Sequence, residues 1–354
     1  MLRHNDYAKL LAYNFLTMSQ ASLPTGPRKR SSALDILRGL TMLIVVIAHA
    51  MQTSLLPGEE SLLWMRFIRP FQMPILFLIS GWALAFSFPP RSHAVFLRKK
   101  AERLLVPYIV WMLIFYLITI CFNGVVFSYS GLFHELMESD FWFLRALFLI
   151  YFAVWIGVFI NEKWGRGKKW VPVASVILGM GIILLIRKID LFRPTANGWF
   201  YQWFLTGYLA HIITIRYREK ISAFMERRRT AIVSVCCLIL VSLASLVYVW
   251  DLSQNLVAYL TIPSICLFII GIVNYIPRLI SRVLIHWGNI SLAIYAIHWC
   301  LFLWSGRLLA EVCPECPFAL RVLLLTTAWM LGCEALNWLF LKLCITRRLL
   351  LGEK

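Results

Sequence analysis

A chain of 354 residues that is 60% hydrophobic and only 15% charged is too apolar for a soluble globular protein. Its net charge of +18 would suit a nucleic-acid-binding protein, but in a membrane protein the distribution of basic residues matters more than their sum. Lipid is therefore the expected solvent for most of the chain. Residues 1–30 do not form a secretory signal, because their apolar run is short and broken by polar residues.

Apolar runs long enough to cross a bilayer occur ten times along the chain. We predict an all-α, polytopic bundle of ten transmembrane helices, at about 34–55, 71–88, 104–122, 141–160, 171–186, 199–215, 231–249, 255–273, 289–305 and 319–341. This prediction divides the chain into an N-terminal tail (1–32), a membrane domain (33–341) and a C-terminal tail (342–354).

The lysines and arginines predict the orientation of this bundle. The two tails and the even-numbered loops carry 26 of them, whereas the odd-numbered loops carry six. By the positive-inside rule, both termini lie in the cytoplasm. The same asymmetry accounts for most of the net charge, so no nucleic-acid partner is expected.

The first predicted span contains two ionisable residues in an otherwise apolar segment. Arg38 and His49 stand eleven residues apart in LDILRGLTMLIVVIAHA, which corresponds to about 16 Å along a helix and returns the side chain to roughly the same face. Arg38 alone can extend to the interface, and His49 alone can be a packing residue. Ionisable groups within a membrane nevertheless mark functional sites by default, so the pair predicts such a site.

The ninth predicted span and the loop after it carry further polar residues. Ser291, Tyr295 and His298 stand at i, i+4 and i+7 and share one stripe of the helix. They can serve catalysis or simply bond helices to one another. Cys313 and Cys316 fall in the predicted outer loop, where an oxidised pair and two free thiols are both open. No clustered spacing in the sequence suggests metal ligands, so no metal is expected.

Five segments, in order along the chain, resemble the acyltransferase family 3 of integral membrane acyltransferases. They are LDILRGLTMLIVVIAHA, FQMPILFLISGWAL, FLRKKAERLLVPYIVW, FWFLRALFLIYF and GNISLAIYAIHW, and the resemblance covers roughly residues 31–341. It implies an enzyme of the cell inner membrane that takes an acyl group from cytosolic acyl-CoA and places it on an extracytoplasmic carbohydrate. The implied partners are acyl-CoA, a glycan or lipid-linked saccharide, and membrane lipids. We expect the membrane bundle to deliver the acyl group unaided or to pass it to a separate protein.

The resemblance also implies roles for particular residues. The family signature of an arginine, ten residues and a histidine falls on Arg38 and His49, and the basic motif that opens the third span falls on Lys100 and Arg103. Lys100 stands where the family usually has an arginine, so it keeps the charge without the bidentate fork. Asp140 stands where many members carry a histidine, and no catalytic role is transferred to it.

Acyl transfer to a hydroxyl needs a general base, donors for the oxyanion and an anchor for the polyanionic donor. We expect His49 to be the base, because an imidazole exchanges protons near neutral pH. The candidates for orienting it or stabilising the oxyanion are Ser291, Tyr295 and His298. No acidic residue is placed to complete a Ser-His-Asp triad, so direct transfer is expected, with an acyl-histidine left open.

Cations at the cytoplasmic side are the expected anchor for the phosphates of coenzyme A. The candidate residues are Arg38, Arg98, Lys100 and Arg103. For Arg98, ordinary positive-inside charge is an equally good interpretation.

Two functions from different classes compete. The first is a membrane O-acyltransferase that moves an acyl group, with acetyl-CoA as the expected donor, to a hydroxyl of a cell-envelope or exported glycan. The alternative is a multi-span transporter or flippase for a lipid-linked glycan or a small anionic solute. Transporters commonly show inverted repeats and paired broken helices, and the sequence indicates neither. Binding of acetyl-CoA would distinguish the two.

Overall fold

The computed structural model describes residues 32–55, 63–86, 92–123, 126–164, 171–188, 198–217, 223, 233, 236, 254–272 and 275–352, and no strand occurs among them. The helices are α1 (Ser32–Thr53), α2 (Leu63–Leu84), α3 (His93–Asn123), α4 (Tyr129–Glu138), α5 (Trp142–Trp164), α6 (Val171–Arg187), α7 (Gly198–Arg216), α8 (Gln254–Ile272), α9 (Arg278–Asn289), α10 (Ser291–Val312), α11 (Phe318–Lys342) and α12 (Cys344–Leu351). The all-α prediction is confirmed.

Four of these helices are long and apolar enough to cross a membrane, within the part of the chain that the structure describes. They are α1 over Ala33–Thr53, α3 over His93–Cys121, α5 over Trp142–Ile160 and α11 over Phe318–Lys342. Helices α9 and α10 form a fifth span if the bent pair is counted as one. The protein is therefore a multi-pass membrane protein.

Of the remaining predicted spans, some correspond to shorter apolar helices and one lies almost entirely outside the described residues. Shorter apolar helices run over Phe71–Leu84, Ile177–Arg187 and Ala258–Ile269, within α2, α6 and α8. The predicted seventh span lies outside the described residues, apart from Val233 and Cys236. Almost all of the predicted N-terminal tail also lies outside them.

Several helix boundaries differ from the prediction because hydropathy detects only the part of a helix that contacts lipid. Helix α3 begins at His93, so the segment FLRKKAER lies on the helix instead of in the preceding loop. Alanine, arginine, lysine and glutamate are strong helix formers, and they extend the helix beyond its apolar part. Helices α9 and α12 likewise occupy a predicted loop and the predicted C-terminal tail.

One sharp bend is not indicated by the sequence. Helices α9 and α10 meet at Ile290 with an angle of 80°. The bend contains no proline. It begins after Asn289 and ends at Ser291, two residue types whose side chains compete for backbone hydrogen bonds.

The chain forms two compact units. One, the α1 unit, comprises Ser31–Trp82 and Trp203–Arg347 and contains α1 packed against α8, α9, α10 and α11. The crossing of α1 and α9 uses glycine on both helices: a side chain on Gly39 would collide with the Leu284 carbonyl group, and one on Gly288 would collide with the Asp35 carbonyl group. Backbones can approach this closely only where one residue lacks a side chain.

The second unit, the α5 unit, comprises Ala83–Gln202 with Arg348–Lys354 and packs α5 against α3 and α6. The indole nitrogen of Trp111 donates to the Leu350 carbonyl oxygen over 2.9 Å, which holds the end of α12 on α3. The Tyr116 hydroxyl accepts from the Ser128 amide at 3.2 Å and donates to its carbonyl oxygen at 3.0 Å. These two bonds fix the start of α4 against α3.

Candidate active site

Two histidines from different helices meet inside the α1 unit. His298 of α10 is 1% exposed, and its ring centroid lies 5.3 Å from that of His49 of α1. His298 Nδ1 donates to the Ile294 carbonyl oxygen over 2.7 Å. Because a carbonyl oxygen can only accept, the hydrogen of the neutral ring is on Nδ1 and the lone pair is on Nε2. This Nε2 is buried and has no hydrogen-bond partner among the described residues.

The His49 ring is enclosed by aromatic side chains of α10. Trp299 and Phe302 present edge-to-face contacts to it, with centroids 4.9 Å and 5.3 Å away, and these two rings stack on each other at 4.5 Å. Gln52, one turn along α1, is its hydrogen-bonding neighbour, while Nδ1 has no partner within the described part of the chain. His49 is half-buried, so it is the more accessible of the two imidazoles. The arrangement provides two proton acceptors in an apolar surrounding.

The other predicted residues of this stripe lie at different distances from the histidine pair. Tyr295 is 7% exposed, and its ring centroid lies 6.2 Å from that of His298. Ser291 is the first residue of α10, seven residues before His298 and therefore about 10 Å away along the helix. The structure thus brings Tyr295 to the pair and leaves Ser291 at the bend.

Arg38 lies on α1, where its guanidinium group is 3.6 Å from the Asp35 carboxylate. The Arg38 side chain is 20% exposed and that of Asp35 is 8% exposed. Part of the positive charge of Arg38 is therefore balanced within its own helix. It remains a cation at the start of the helix that carries His49.

Three of the four predicted phosphate-binding cations, Arg98, Lys100 and Arg103, lie on α3, in the α5 unit. The Lys100 ammonium group is 3.9 Å from the centroid of the Tyr151 ring and 5.5 Å from that of Phe96, so it makes a cation–π contact. Arg98 forms an exposed ion pair with Glu102 at 3.7 Å. Arg103 is exposed.

Three charged residues on apolar helices are not among the sequence-predicted site residues. Arg145, 6% exposed, and Arg321, 1% exposed, donate to backbone carbonyl groups near the starts of α5 and α11. Glu334 of α11 accepts from His286 and Trp287 of α9, each over 2.9 Å. The sequence could have revealed these residues, because each is a charged residue inside an apolar run. Burying a charge in lipid costs free energy, so such a residue is expected to have a function.

Arg145 organises one end of the α5 unit. Its guanidinium group donates to the carbonyl oxygens of Leu136 and Met137 at the end of α4. Burial raises the pKa of the nearby Glu135 carboxyl group, the Asp140 carboxylate raises it further, and the His134 imidazole opposes both effects. The bonds of Arg145 therefore fix the end of α4.

Two cysteines that the sequence places close together lie in one turn of the structure. Cys313 and Cys316 carry free thiols in the turn between α10 and α11. The described residues contain no group of three or more His, Cys, Asp or Glu side chains that could hold a metal ion.

Comparison with known proteins identifies the family. A family profile described as an acyltransferase domain matches residues 31–338. Nodulation protein NolL of Mesorhizobium japonicum is 23% identical over 168 residues, which cover 45% of this chain and 43% of NolL. Nodulation protein NolL of Sinorhizobium fredii is 23% identical over 202 residues, 54% of this chain and 52% of that protein. The chain thus spans about half the length of these curated relatives.

No solved structure matches it significantly. The histidine pair lies within the matched residues, and the chain belongs to acyltransferase family 3.

Proposed function

We propose that the protein is an O-acyltransferase of the cell inner membrane, with ten spans and both termini in the cytoplasm. It moves an acetyl group from cytosolic acetyl-CoA to a hydroxyl group of a cell-envelope or exported glycan. Membership of the family supports acyl transfer. The excess of lysine and arginine in the tails and even-numbered loops supports the orientation.

The observation that carries the proposal is the buried histidine pair. His49 Nδ1 and His298 Nε2 belong to rings in contact, and neither atom has a hydrogen-bond partner among the described residues. A rotation of the His49 ring allows its Nδ1–H to donate to the lone pair of His298 Nε2. This leaves His49 Nε2 as the general base, in the way that a carboxylate orients a catalytic histidine.

The reaction then needs no further group to balance its protons. His49 Nε2 accepts the proton of the glycan hydroxyl as its oxygen forms a bond to the thioester carbonyl carbon. The tetrahedral intermediate collapses with cleavage of the carbon–sulfur bond. The proton on His49 passes to the leaving thiolate, and the products are the glycan ester and coenzyme A. The Tyr295 hydroxyl group is the proposed donor to the oxyanion.

The proposed donor-binding cations on α3 are Arg98, Lys100 and Arg103, and Arg38 on α1 is a separate proposed phosphate-binding cation. Phosphate groups form strong charge-assisted hydrogen bonds with such side chains. Lys100 is held by its contact with Tyr151, so its ammonium group loses less freedom when an anion binds.

A single assay tests the function. Purified protein in lipid nanodiscs is incubated with acetyl-CoA or succinyl-CoA and with the exported glycans of a strain that lacks the gene. We expect release of the coenzyme A thiol in equal amount to new glycan ester, measured by thiol titration and mass spectrometry. A transporter would neither release thiol nor form ester, and that result would reject the proposal. Preference for succinyl-CoA would correct the donor while retaining the reaction class.

A further inference from the structure

Glu334 is an ionisable residue inside a candidate membrane span, and both of its carboxylate oxygens are engaged by one neighbouring helix. Oε2 accepts from His286 Nε2 and Oε1 accepts from Trp287 Nε1, each over 2.9 Å. Both donors lie on α9, whereas Glu334 lies on α11. A carboxylate inside a membrane span costs free energy. A Glu334 side chain that uses both oxygens in contacts is therefore expected to have a function.

The residue before Glu334 contacts the other arm of the bend. Cys333 is fully buried, and its Sγ lies 4.0 Å from the Ile294 carbonyl oxygen on α10. The same carbonyl oxygen accepts from His298 Nδ1 and so defines which nitrogen of His298 carries the hydrogen. Two consecutive residues of α11 therefore support the two helices that meet at 80°.

Helix α9 is also fixed on its other side. Gly39 of α1 lies against the Leu284 carbonyl group of α9, and Gly288 of α9 lies against the Asp35 carbonyl group of α1. With α9 held between α1 and α11, the bend sets the direction in which α10 continues. That direction determines where His298 stands relative to His49 on α1.

We propose that Glu334 is a positioning residue for the histidine pair. By binding His286 and Trp287, it fixes the angle between α9 and α10 and so places His298 against His49. This inference rests on the proposed function, because it assigns a catalytic purpose to the geometry of the pair. A displacement of about 1 Å in a reacting group can lower a rate about 100-fold, so a clamp outside the reacting atoms can matter greatly for turnover.

The kinetic test compares Glu334→Leu with Glu334→Gln. We expect Glu334→Leu to lower kcat between about 10-fold and 100-fold, with KM for acetyl-CoA unchanged within about twofold, since no donor-binding residue is altered. Glu334→Gln should recover much of the loss, because its amide oxygen still accepts from Trp287 and its volume is nearly the same. The matched control is Leu331→Ala on the same helix, where the side chain is 65% exposed.

A second measurement reports the geometry without relying on activity. Spin labels attached through unnatural amino acids at Leu279 and Val312 stand near the two far ends of the bent pair, at side chains 74% and 68% exposed. We expect one narrow distance distribution in the wild type and in Glu334→Gln, and a shifted or broadened one in Glu334→Leu. The nine native cysteines stay in place with this labelling.

The possible outcomes separate the two proposals. If Glu334→Leu keeps wild-type kcat, or loses kcat with an unchanged distance distribution, Glu334 is not a positioning residue. If the wild-type protein transfers no acyl group from any acyl-CoA, the proposed function fails. The label distances then still decide whether Glu334 fixes the bend, and an unchanged distribution would reject that as well.

Discussion

His298 and His49 meet with 5.3 Å between their ring centroids, and the hydrogen on His298 is fixed by the Ile294 carbonyl oxygen. The nitrogen that faces away from this bond is therefore a permanent acceptor in the neutral ring. His49 approaches it from another helix with an unoccupied nitrogen of its own, counted among the described residues. In the proposed mechanism the two imidazoles act as one unit, and this determines what their removal should do.

We expect His49→Ala and His298→Ala each to lower kcat at least 100-fold, because a positioned general base contributes about 10²–10⁴ to the rate. The double variant should be no slower than the slower single variant, since groups that act as a unit are not additive. Thiol release by purified protein measures this. His134→Ala removes an exposed imidazole and should keep wild-type activity. Independent, multiplying losses would contradict the pairing.

The α3 cations should act on donor binding. We expect Lys100→Ala and Arg103→Ala to raise the KM for acetyl-CoA about tenfold, equal to about 1.4 kcal/mol each, with little change in kcat. Arg98→Ala should raise the KM less than the other two variants, because the Glu102 carboxylate, 3.7 Å away, already balances part of the Arg98 charge.

Lys100→Arg offers a sharper test of the same site. A guanidinium group retains the cation–π contact with Tyr151 and adds a bidentate fork, so donor affinity should be equal or higher. Isothermal titration with acetyl-CoA measures it directly. A loss confined to kcat in either alanine variant, with unchanged donor affinity, would move these cations out of the binding site.

Two glycines provide a matched pair for helix packing. Gly288→Ala would place a methyl group into the Asp35 carbonyl group and force α9 away from α1. Overpacking of this kind costs about 1–3 kcal/mol, so the protein should lose thermal stability in detergent. Gly181→Ala meets nothing within 4 Å and should be neutral or stabilising by about 0.5–1 kcal/mol. Equal melting temperatures for the two variants would disprove this packing.

Two exposed cysteines test the proposed orientation. Cys313 follows α10, and Cys344 lies near the C-terminus at the start of α12. In oriented vesicles, a membrane-impermeant thiol reagent should label Cys313 from the outer face and Cys344 from the cytoplasmic face. The variants Cys313→Ser and Cys344→Ser identify each labelled band by its loss. Labelling of both residues from one side would overturn the ten-span topology.

The sequence by itself determined the secondary structure class and most helix positions. A bilayer leaves backbone groups no partner except their own helix, so an apolar run of spanning length becomes a helix whatever its neighbours do. The register of Arg38 and His49 follows from the helical period in the same way. Helix boundaries such as the start of α3 at His93 were harder to predict, because the charged turns of a helix beyond the lipid give no hydropathy signal.

Only the tertiary structure decided which residues meet. The stripe of Ser291, Tyr295 and His298 is visible in the sequence. The contact of His298 with His49 depends on the 80° bend at Ile290, which no proline in the sequence indicates. The contact of Glu334 with the helix before that bend could not be predicted from the sequence either. Local periodicity fixes the face of a helix on which a side chain lies. The partner across the interface is selected by close packing of many side chains and backbones from distant parts of the chain, and no single segment encodes that selection.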